Sequence, residues 1–237
     1  MKNRLDSYIK EHHLLRSRSA AKDLIKRGFV KINQKVVKTP SYIFKEGDVI
    51  EITKKNKYVS RGADKLISFL ENIEIELDNK IVIDVGSSKG GFTEVLLEKN
   101  VKKIYCVDVG TNQLDQTLID EEKIILNEGT NILNFDIPKN DLIVIDISFT
   151  SILPILEYLF KKTNKVIALI KPQFEQKEKS KHIIKDEKES KLILDSVVSE
   201  IKNLGYNIIY VKKSSLKGKK GNQEYFCYLK TNNDKKS

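Results

Sequence analysis

A glycine-rich turn, DVGSSKGGF at residues 84–92, is the first segment whose residue types and spacing suit a ligand. It follows the apolar run IVIDV and precedes a helical pattern, so we expect it at the carboxyl end of a parallel strand, where open α/β sheets bind nucleotides. The turn carries no net charge and lacks the GK[ST] of a P-loop, which favours a nucleoside without a pyrophosphate, such as S-adenosylmethionine, over NAD.

A carboxylate ends the next apolar run, at Asp108, 22 residues after Gly86. This is the place where an acidic side chain accepts hydrogen bonds from a ribose. The sequence therefore predicts a cofactor site built from Asp84, Gly86, Ser87, Ser88, Gly90, Gly91 and Asp108.

Three ionisable residues stand where later strands meet the same crevice. Asp146 closes LIVID, Lys171 closes VIALIK immediately before a proline, and Glu224 opens the last strand. An apolar surrounding favours the neutral form of a lysine, although nearby carboxylates oppose that effect. A lysine tuned in this way can act as general base toward a weakly acidic hydroxyl. The three together predict a catalytic site.

The elements that must position these residues follow an alternating pattern. From residue 64 onward, amphipathic helices alternate with the apolar runs IVIDV, IYCVDV, IILNEG, LIVIDIS and VIALIK, and the segments NIIYVKK and QEYFCYL end the pattern. Alternation of strands and helices predicts an α/β fold with a mostly parallel sheet, and the last two runs predict an antiparallel hairpin on its edge.

The first quarter of the chain carries almost all of the excess charge. Residues 1–60 hold 15 basic and 6 acidic side chains, whereas the whole chain has a net charge of +10. The pattern predicts a small α+β nucleic-acid-binding domain over residues 1–54, a linker over 55–64, and a second domain over 65–237. The predicted RNA-binding residues are Arg4, Arg16, Arg18, Lys22, Lys26, Arg27 and Arg61.

Composition excludes several classes of protein. No apolar run approaches the roughly 18 residues that a membrane helix needs, and the first residues lack the apolar core of a secretory signal. Cys106 and Cys227 lie in strand-like runs and are expected to be buried thiols of a reducing compartment. We therefore expect a cytoplasmic protein without stable membrane association and without a metal site.

The whole chain resembles the TlyA group of rRNA 2′-O-methyltransferases, often labelled haemolysin A. The segment RLDSYIKEHHLLRSRSAAKDLIKRGFVKIN resembles the RNA-binding module of small-subunit ribosomal protein four. The blocks YVSRGADKL, DVGSSKGGFT, VDVGTNQL, LIVIDISFTSI, IKPQFE and GNQEYF follow in the order of that group's methyltransferase domain. The resemblance implies a Rossmann-like class I methyltransferase sheet, shared with the FtsJ-type enzymes, behind an RNA-binding domain.

The same resemblance implies a catalytic tetrad. Its Lys-Asp-Lys-Glu residues fall on Lys65, Asp146, Lys171 and Glu224, and the role of Lys65 rests on the resemblance alone. In the implied mechanism Lys171 deprotonates a ribose 2′-hydroxyl, Asp146 and Glu224 orient its amine, and Lys65 steers the sugar or offsets negative charge.

The group's target is a cytidine ribose in ribosomal RNA, and its shorter members, which this chain resembles, are associated with large-subunit 23S rRNA. Three other functions compete with this interpretation. A catalytically inactive ribosome assembly factor is one, although every tetrad residue type is present. A membrane-lytic protein would need an apolar segment that is absent from the sequence. A base or protein methyltransferase is the third, but DISF stands where methylation of an exocyclic amine usually needs an Asn/Asp-Pro-Pro-aromatic turn.

Overall fold

The chain divides into two compact units, Met1–Val59 and Ser60–Ser237. The structure, a computed structural model, describes residues 4–12, 18–26, 28–53, 58–176, 183–184 and 186–231. Arg16 and Arg27 of the predicted RNA-binding set, and residues 54–57 around the start of the predicted linker, lie outside these ranges.

The first unit packs two helices against a small antiparallel sheet. Helices α1 (Leu5–His12) and α2 (Arg18–Lys26) precede strands β1 (Val30–Ile32), β2 (Lys35–Val36) and β3 (Ile50–Ile52), and the strand order is β2-β1-β3. The apolar faces of both helices meet β1 in a core formed by Leu5, Ile9, Ala21, Leu24, Ile25, Val30 and Ile32. This agrees with the small α+β domain expected from the sequence.

The second unit is built on a larger sheet. Among the described residues its strand order is β6-β5-β4-β7-β8-β10-β9, where β4 to β8 run parallel and β10 runs antiparallel to both β8 and β9. The strands are β4 (Ile81–Val85), β5 (Lys103–Val107), β6 (Ile124–Asn127), β7 (Leu142–Ile145), β8 (Lys165–Ile170), β9 (Asn207–Lys213) and β10 (Tyr225–Lys230). The predicted fold class is confirmed.

Helices cover both faces of this sheet, which explains why its central strands are apolar throughout. They are α3 (Arg61–Leu70), α4 (Gly91–Glu98), α5 (Gln116–Ile119), α6 (Leu153–Leu159), α7 (Pro172–Glu175) and α8 (Glu187–Asn203), with a 3-10 turn at Ile132–Asn134. Every residue of β7 is buried, and so is all of β8 except Lys165 at its start. Within the described ranges, no helix has the length and apolar character needed to cross a bilayer.

Helix α3 begins earlier than the sequence pattern suggests. Ser60 is its N-cap, and the Ser60 side chain accepts a hydrogen bond from the backbone N–H of Gly62. Residues 61–64, which the sequence analysis assigns to the linker, therefore lie in the first turn of a helix of the second unit.

Candidate functional site

The predicted catalytic residues lie at one edge of the large sheet. Asp146 follows β7 and Lys171 follows β8, so both stand at the carboxyl ends of parallel strands. Glu224 precedes β10, whose first residue, Tyr225, pairs with Ile170 at the end of β8. Extending this register by one residue sets Glu224 opposite Lys171. Antiparallel pairing of the last strand thus brings the far end of the chain back to the crevice.

Lys171 is held by two polar groups of the β7–α6 loop. Its Nζ lies 2.6 Å from Oδ1 of Asp146 and donates a hydrogen bond of 2.9 Å to Oγ of Ser148. The Lys171 residue is only 8% exposed. An ion pair in so enclosed a place is stronger than one on the surface, and it fixes the direction of the amine. Ser148 was missed by the sequence analysis, since a serine in a loop carries no spacing signal.

Lys65 and Glu224 form the second pair. Lys65 Nζ donates to Oε2 of Glu224 at 2.5 Å, and both residues are buried. The position of Lys65 in the middle of α3 explains this contact, because the buried face of that helix packs on the sheet and carries the amine toward the start of β10. The structure therefore joins the four tetrad residues into two lysine–carboxylate pairs, and Glu224 orients Lys65, whereas the sequence analysis assigned it to Lys171.

A partly buried glutamate connects the two loops that hold Asp146 and Lys171. Glu175 in α7 accepts hydrogen bonds from Ser151 Oγ (2.6 Å) and from the backbone N–H of Ile152 (3.0 Å). Burial raises the pKa of Glu175, although these two hydrogen bonds oppose the rise. The contact fixes the β7–α6 loop against the segment after β8. It was not foreseen, although Glu175 belongs to the IKPQFE block.

The β7–α6 loop also carries an exposed aromatic ring. Phe149 is 87% exposed and has a φ of +71°, a left-handed conformation that is unfavourable for a bulky residue. Its ring lies 5.4 Å from that of Phe174. A large apolar side chain held in such a conformation three residues after Asp146 is a candidate for contact with a substrate, and the sequence analysis did not identify it.

The glycine-rich turn begins at the carboxyl end of β4. Gly86 has a φ of +79°, and a Cβ at this position would lie 2.6 Å from the backbone oxygen of Asp146. Gly90, with a φ of +87°, is the N-cap of α4. At Gly86 a Cβ would approach the backbone of Asp146 too closely, and at Gly90 the positive φ is a conformation that residues with a side chain rarely adopt, so both places favour glycine. The turn thus connects the predicted cofactor site directly to Asp146.

Asp108 is fixed against this turn. Its Oδ2 accepts a hydrogen bond of 2.8 Å from the backbone N–H of Ser88, and its Oδ1 accepts one of 2.7 Å from the N–H of Gly110. Each carboxylate oxygen has a second lone pair with which to accept a hydroxyl. Asp108 therefore keeps acceptor capacity beside the turn, and its ribose-binding role stays a prediction.

Asp84 plays a different part within the predicted cofactor set. It is fully buried, and its Oδ2 accepts a hydrogen bond of 2.6 Å from Thr93 Oγ1 in α4. Burial raises its pKa to about 7, and the hydrogen bond from Thr93 opposes this effect. A side chain without exposed surface holds the turn and α4 in place. It does not itself face the crevice.

A second carboxylate orders the loop after β5. Glu128 accepts hydrogen bonds from the backbone N–H groups of Asn112 (2.7 Å) and Gln113 (2.9 Å), and these bonds lower its pKa. Gln113 Oε1 in turn accepts a hydrogen bond from Ser88 Oγ. The loop is therefore connected to the glycine-rich turn, which the order of motifs in the sequence does not indicate.

The predicted RNA-binding residues fall into different environments. Arg4 and Arg18 both form forked hydrogen bonds with Asp6, a buried residue. Lys22 and Lys26 are exposed on α2. Arg61 belongs to α3 of the second unit, where its Nη2 donates to the backbone oxygen of Lys217 at 2.8 Å. The structure thus brings Arg4 and Arg18 together and places Arg61 in the second unit.

Comparison with known proteins gives two family matches. A model of the FtsJ-like methyltransferases matches residues 58–231, and a model of the S4 domain matches residues 3–50. Together they cover both structural units.

Individual relatives extend along most of the chain. Hemolysin A of Brachyspira hyodysenteriae is 37% identical over 239 residues, which cover 95% of this chain and 99% of that protein. The 23S rRNA (cytidine-2′-O)-methyltransferase TlyA of Campylobacter jejuni is 43% identical over 177 residues, covering 72% of this chain and 70% of that protein. A solved structure from Streptococcus thermophilus, named as a hemolysin, has 30% identity and a TM-score of 0.75, covering 97% of this chain and 88% of that one.

Proposed function

Because the chain belongs to the FtsJ-like methyltransferases, and within them to the TlyA group, we propose that it methylates the ribose 2′-hydroxyl of a cytidine in ribosomal RNA with S-adenosylmethionine as cofactor. The observation that carries the proposal is the presence of two lysine–carboxylate pairs, both with a buried lysine, beside a glycine-rich turn at the carboxyl edge of the sheet. A proton acceptor and fixed charges next to a nucleoside site are what transfer to a hydroxyl requires.

The residues around the turn suit this cofactor. Gly86 and Gly90 leave the backbone of the turn open at their own positions, and Asp108 offers its carboxylate to a ribose. Ser87, Ser88 and Gly91 belong to the same turn and would complete the cofactor site. Bound there, S-adenosylmethionine supplies an activated methyl group on a sulfonium. Two further carboxylates stabilise the surrounding elements: Asp84 holds α4, and Glu128 holds the loop after β5.

Lys171 is the general base in the proposed mechanism. In its neutral form its amine accepts the proton of the 2′-hydroxyl, and the carboxylate of Asp146, 2.6 Å away, stabilises the ammonium that results. Ser148 fixes the remaining direction of the amine. Lys65, aligned by Glu224, contributes a positive charge near the developing alkoxide. Because a pre-activated methyl group needs mainly alignment, this rigid frame supplies much of the rate.

Phe149 is positioned to receive the target base. Its ring is exposed and lies in the loop that carries Asp146 and Ser148. Stacking of a base on an aromatic ring contributes about 1–3 kcal/mol and requires no particular base. The ring would hold an unstacked cytidine with its ribose over Lys171.

The N-terminal unit would bind the ribosomal RNA through its basic side chains, and the proposal keeps Arg16 and Arg27 among them on the basis of the sequence alone. We propose the large subunit as the substrate, because the Campylobacter relative with 43% identity is named for 23S rRNA alone. Ribosomal RNA as substrate also supports a cytoplasmic location.

The test uses purified full-length protein, S-adenosylmethionine with a labelled methyl group, and 30S and 50S subunits from a strain that lacks the enzyme. Digested RNA is analysed by mass spectrometry for modified nucleosides. We expect 2′-O-methylcytidine in 23S rRNA, its loss with Lys171→Ala, and unchanged activity with Lys161→Ala, which removes an exposed lysine elsewhere in the unit. Label in 16S rRNA would correct the choice of subunit, and tight binding without any label would favour the assembly factor.

A further inference from the structure

The loop between β9 and β10, residues 214–224, is fastened to helix α3 at two points. Arg61 Nη2 donates to the backbone oxygen of Lys217 at 2.8 Å, and Lys65 Nζ donates to the side chain of Glu224 at 2.5 Å. Arg61 and Lys65 are four residues apart, so they lie on the same face of the helix. One helix face thus holds both the middle and the end of the loop.

Internal hydrogen bonds give the β9–β10 loop a defined shape. The N–H of Ser214 donates to the backbone oxygen of Glu224 (2.8 Å), and that of Gly218 donates to the oxygen of Asn222 (2.9 Å). The Asn222 side chain in turn accepts a buried hydrogen bond from the N–H of Ile184. Gly221 completes the turn with a φ of +91°.

The backbone of this loop lies directly against the tetrad. A Cβ at Gly218 would lie 2.5 Å from Oε1 of Glu224, so no larger residue fits without displacing the catalytic carboxylate or the loop. The lysines on either side of Gly218, and Lys220 after them, have exposed side chains. Three positive charges are therefore presented within four residues, next to the proposed site of methyl transfer.

The chemistry of the proposed substrate explains this arrangement. A ribose 2′-hydroxyl is adjacent to the phosphate on its own 3′-oxygen, so a nucleotide with its 2′-hydroxyl at Lys171 has backbone phosphates close to the tetrad. Lysines bind phosphates as point charges, and release of counterions makes such binding depend on salt.

We infer that the β9–β10 loop is a phosphate clamp for the RNA strand that carries the target nucleotide, and that Arg61 acts through the loop as a positioning residue. This inference rests on the proposed function, since it places an RNA ribose at Lys171. Lys217, Lys219 and Lys220 are the phosphate contacts, and α3 couples them to the catalytic pair Lys65–Glu224.

The experiment measures binding of the full-length protein to 50S subunits from a strain that lacks the enzyme, without cofactor, across a range of KCl concentrations. The variants are Lys219→Ala/Lys220→Ala and the control Lys99→Ala/Lys102→Ala, which removes the same charge from exposed positions before the amino end of β5. The quantity compared is the slope of the logarithm of the observed association constant against log[KCl]. We expect it to become less steep by about 0.7–0.9 for each lost phosphate contact in the loop variant, and to stay unchanged in the control.

Steady-state methylation of the same subunits supplies the second readout. The loop variant should raise KM for the subunit and leave kcat within about twofold, because the clamp binds phosphates in the ground state and the transition state alike. Equal salt slopes for the loop variant and wild type would overturn the clamp.

Arg61→Ala separates positioning from direct contact. We expect Arg61→Ala to raise KM in the wild-type background and to cause little further change in KM or in the salt slope when it is added to Lys219→Ala/Lys220→Ala. A further reduction of the slope by about 0.7–0.9 in that combined variant would instead show that Arg61 itself binds a phosphate. If wild-type protein bound 30S and 50S subunits but methylated neither, the proposed function would fail. The salt slopes would still show whether the lysines of the β9–β10 loop contact phosphates.

Discussion

Carboxylates shielded from solvent pair with cations in both units, but the cations differ. In the N-terminal unit Asp6 accepts forked hydrogen bonds from Arg4 and Arg18 at 3.1–3.2 Å. In the second unit Asp146 and Glu224 each pair with one lysine. All three carboxylates are shielded to some degree, so the identity of the cation decides what each group can do.

Arginine keeps its proton at any pH that proteins experience, whereas lysine can release it. The Asp6 cluster can therefore only hold α1 to α2, and its planar forks suit that task. The lysine pairs can hold geometry and also exchange a proton with a substrate. The comparison teaches that burial of a charge pair does not by itself mark a site of proton transfer; for that, the cation must be able to release and regain its proton.

Exchanging the cation in the second unit should have the largest effect. Lys171→Arg keeps a positive charge beside Asp146 but cannot accept a proton, so we expect kcat for 50S methylation to fall about 10²–10⁴-fold. Binding of S-adenosylmethionine and the thermal unfolding midpoint should remain those of wild type. The matched variant is Lys65→Arg. Only a fixed charge is needed at this position, so its kcat should fall less than that of Lys171→Arg. A Lys171→Arg enzyme within about tenfold of wild type would break the comparison, because proton transfer at Lys171 would then be unnecessary.

Removing the shared carboxylate of the first unit should affect stability. Asp6→Ala leaves two arginines without their common partner, and we expect a loss of about 1–2 kcal/mol in local stability, limited because both arginines are partly exposed to solvent. Hydrogen exchange of the α1 and α2 amides in the full-length protein measures this loss, and the amides of β4 serve as internal reference. Unchanged protection of both helices would contradict a structural role for Asp6.

The same cluster should make that stability depend on pH. Burial would raise the pKa of Asp6, but the hydrogen bonds and charges of Arg4 and Arg18 outweigh it and lower the pKa to about 2, from an ordinary value of 3.8. A carboxylate whose pKa is lowered by folding stabilises the fold above its unfolded value, and this contribution is lost as the pH falls from about 4 toward 2. The difference in protection between wild type and Asp6→Ala should shrink over that range; a constant difference would exclude the linkage.

The smallest effect is expected from exchanging one arginine of the cluster. Arg18→Lys keeps the charge but replaces a fork by a point donor, so we expect a stability loss below about 1 kcal/mol in the exchange of α2. Lys22→Ala, on an exposed position of the same helix, should leave stability unchanged and reduce RNA affinity instead. Loss of stability in Lys22→Ala equal to that in Arg18→Lys would show that the two positions do not differ in role.

Much of this protein could be predicted from sequence because its signals are local. The alternation of apolar runs with helical patterns predicted the α/β fold, and the order of six blocks predicted the FtsJ-like methyltransferase family with an S4-like domain; both are confirmed. The glycine-rich turn and Asp108 were found from spacing, since adjacent parallel strands bring the carboxyl ends of successive runs together.

Contacts between distant segments were not predicted in the same way. The positions of Asp146, Lys171 and Glu224 at strand ends could be found from the sequence. The sequence did not show which lysine each carboxylate pairs with. Ser148, Phe149, Glu175 and Glu128 were missed, because a single polar or aromatic residue in a loop has no periodicity. Arg4 and Arg18 were interpreted only as RNA contacts, since nothing in the local sequence indicates that Asp6 would be buried between them.

The sequence by itself determined the family, the fold class and the residue types of the site, because these depend on local pattern and on the order of motifs along the chain. Only the tertiary structure decided the partners. Lys65 and Glu224 are 159 residues apart, and they meet because β10 returns antiparallel to β8 while α3 packs its buried face on the sheet. Two charges pair when they are close in space. The order of residues along the chain does not give that distance, which is set only when the strands assemble into the sheet.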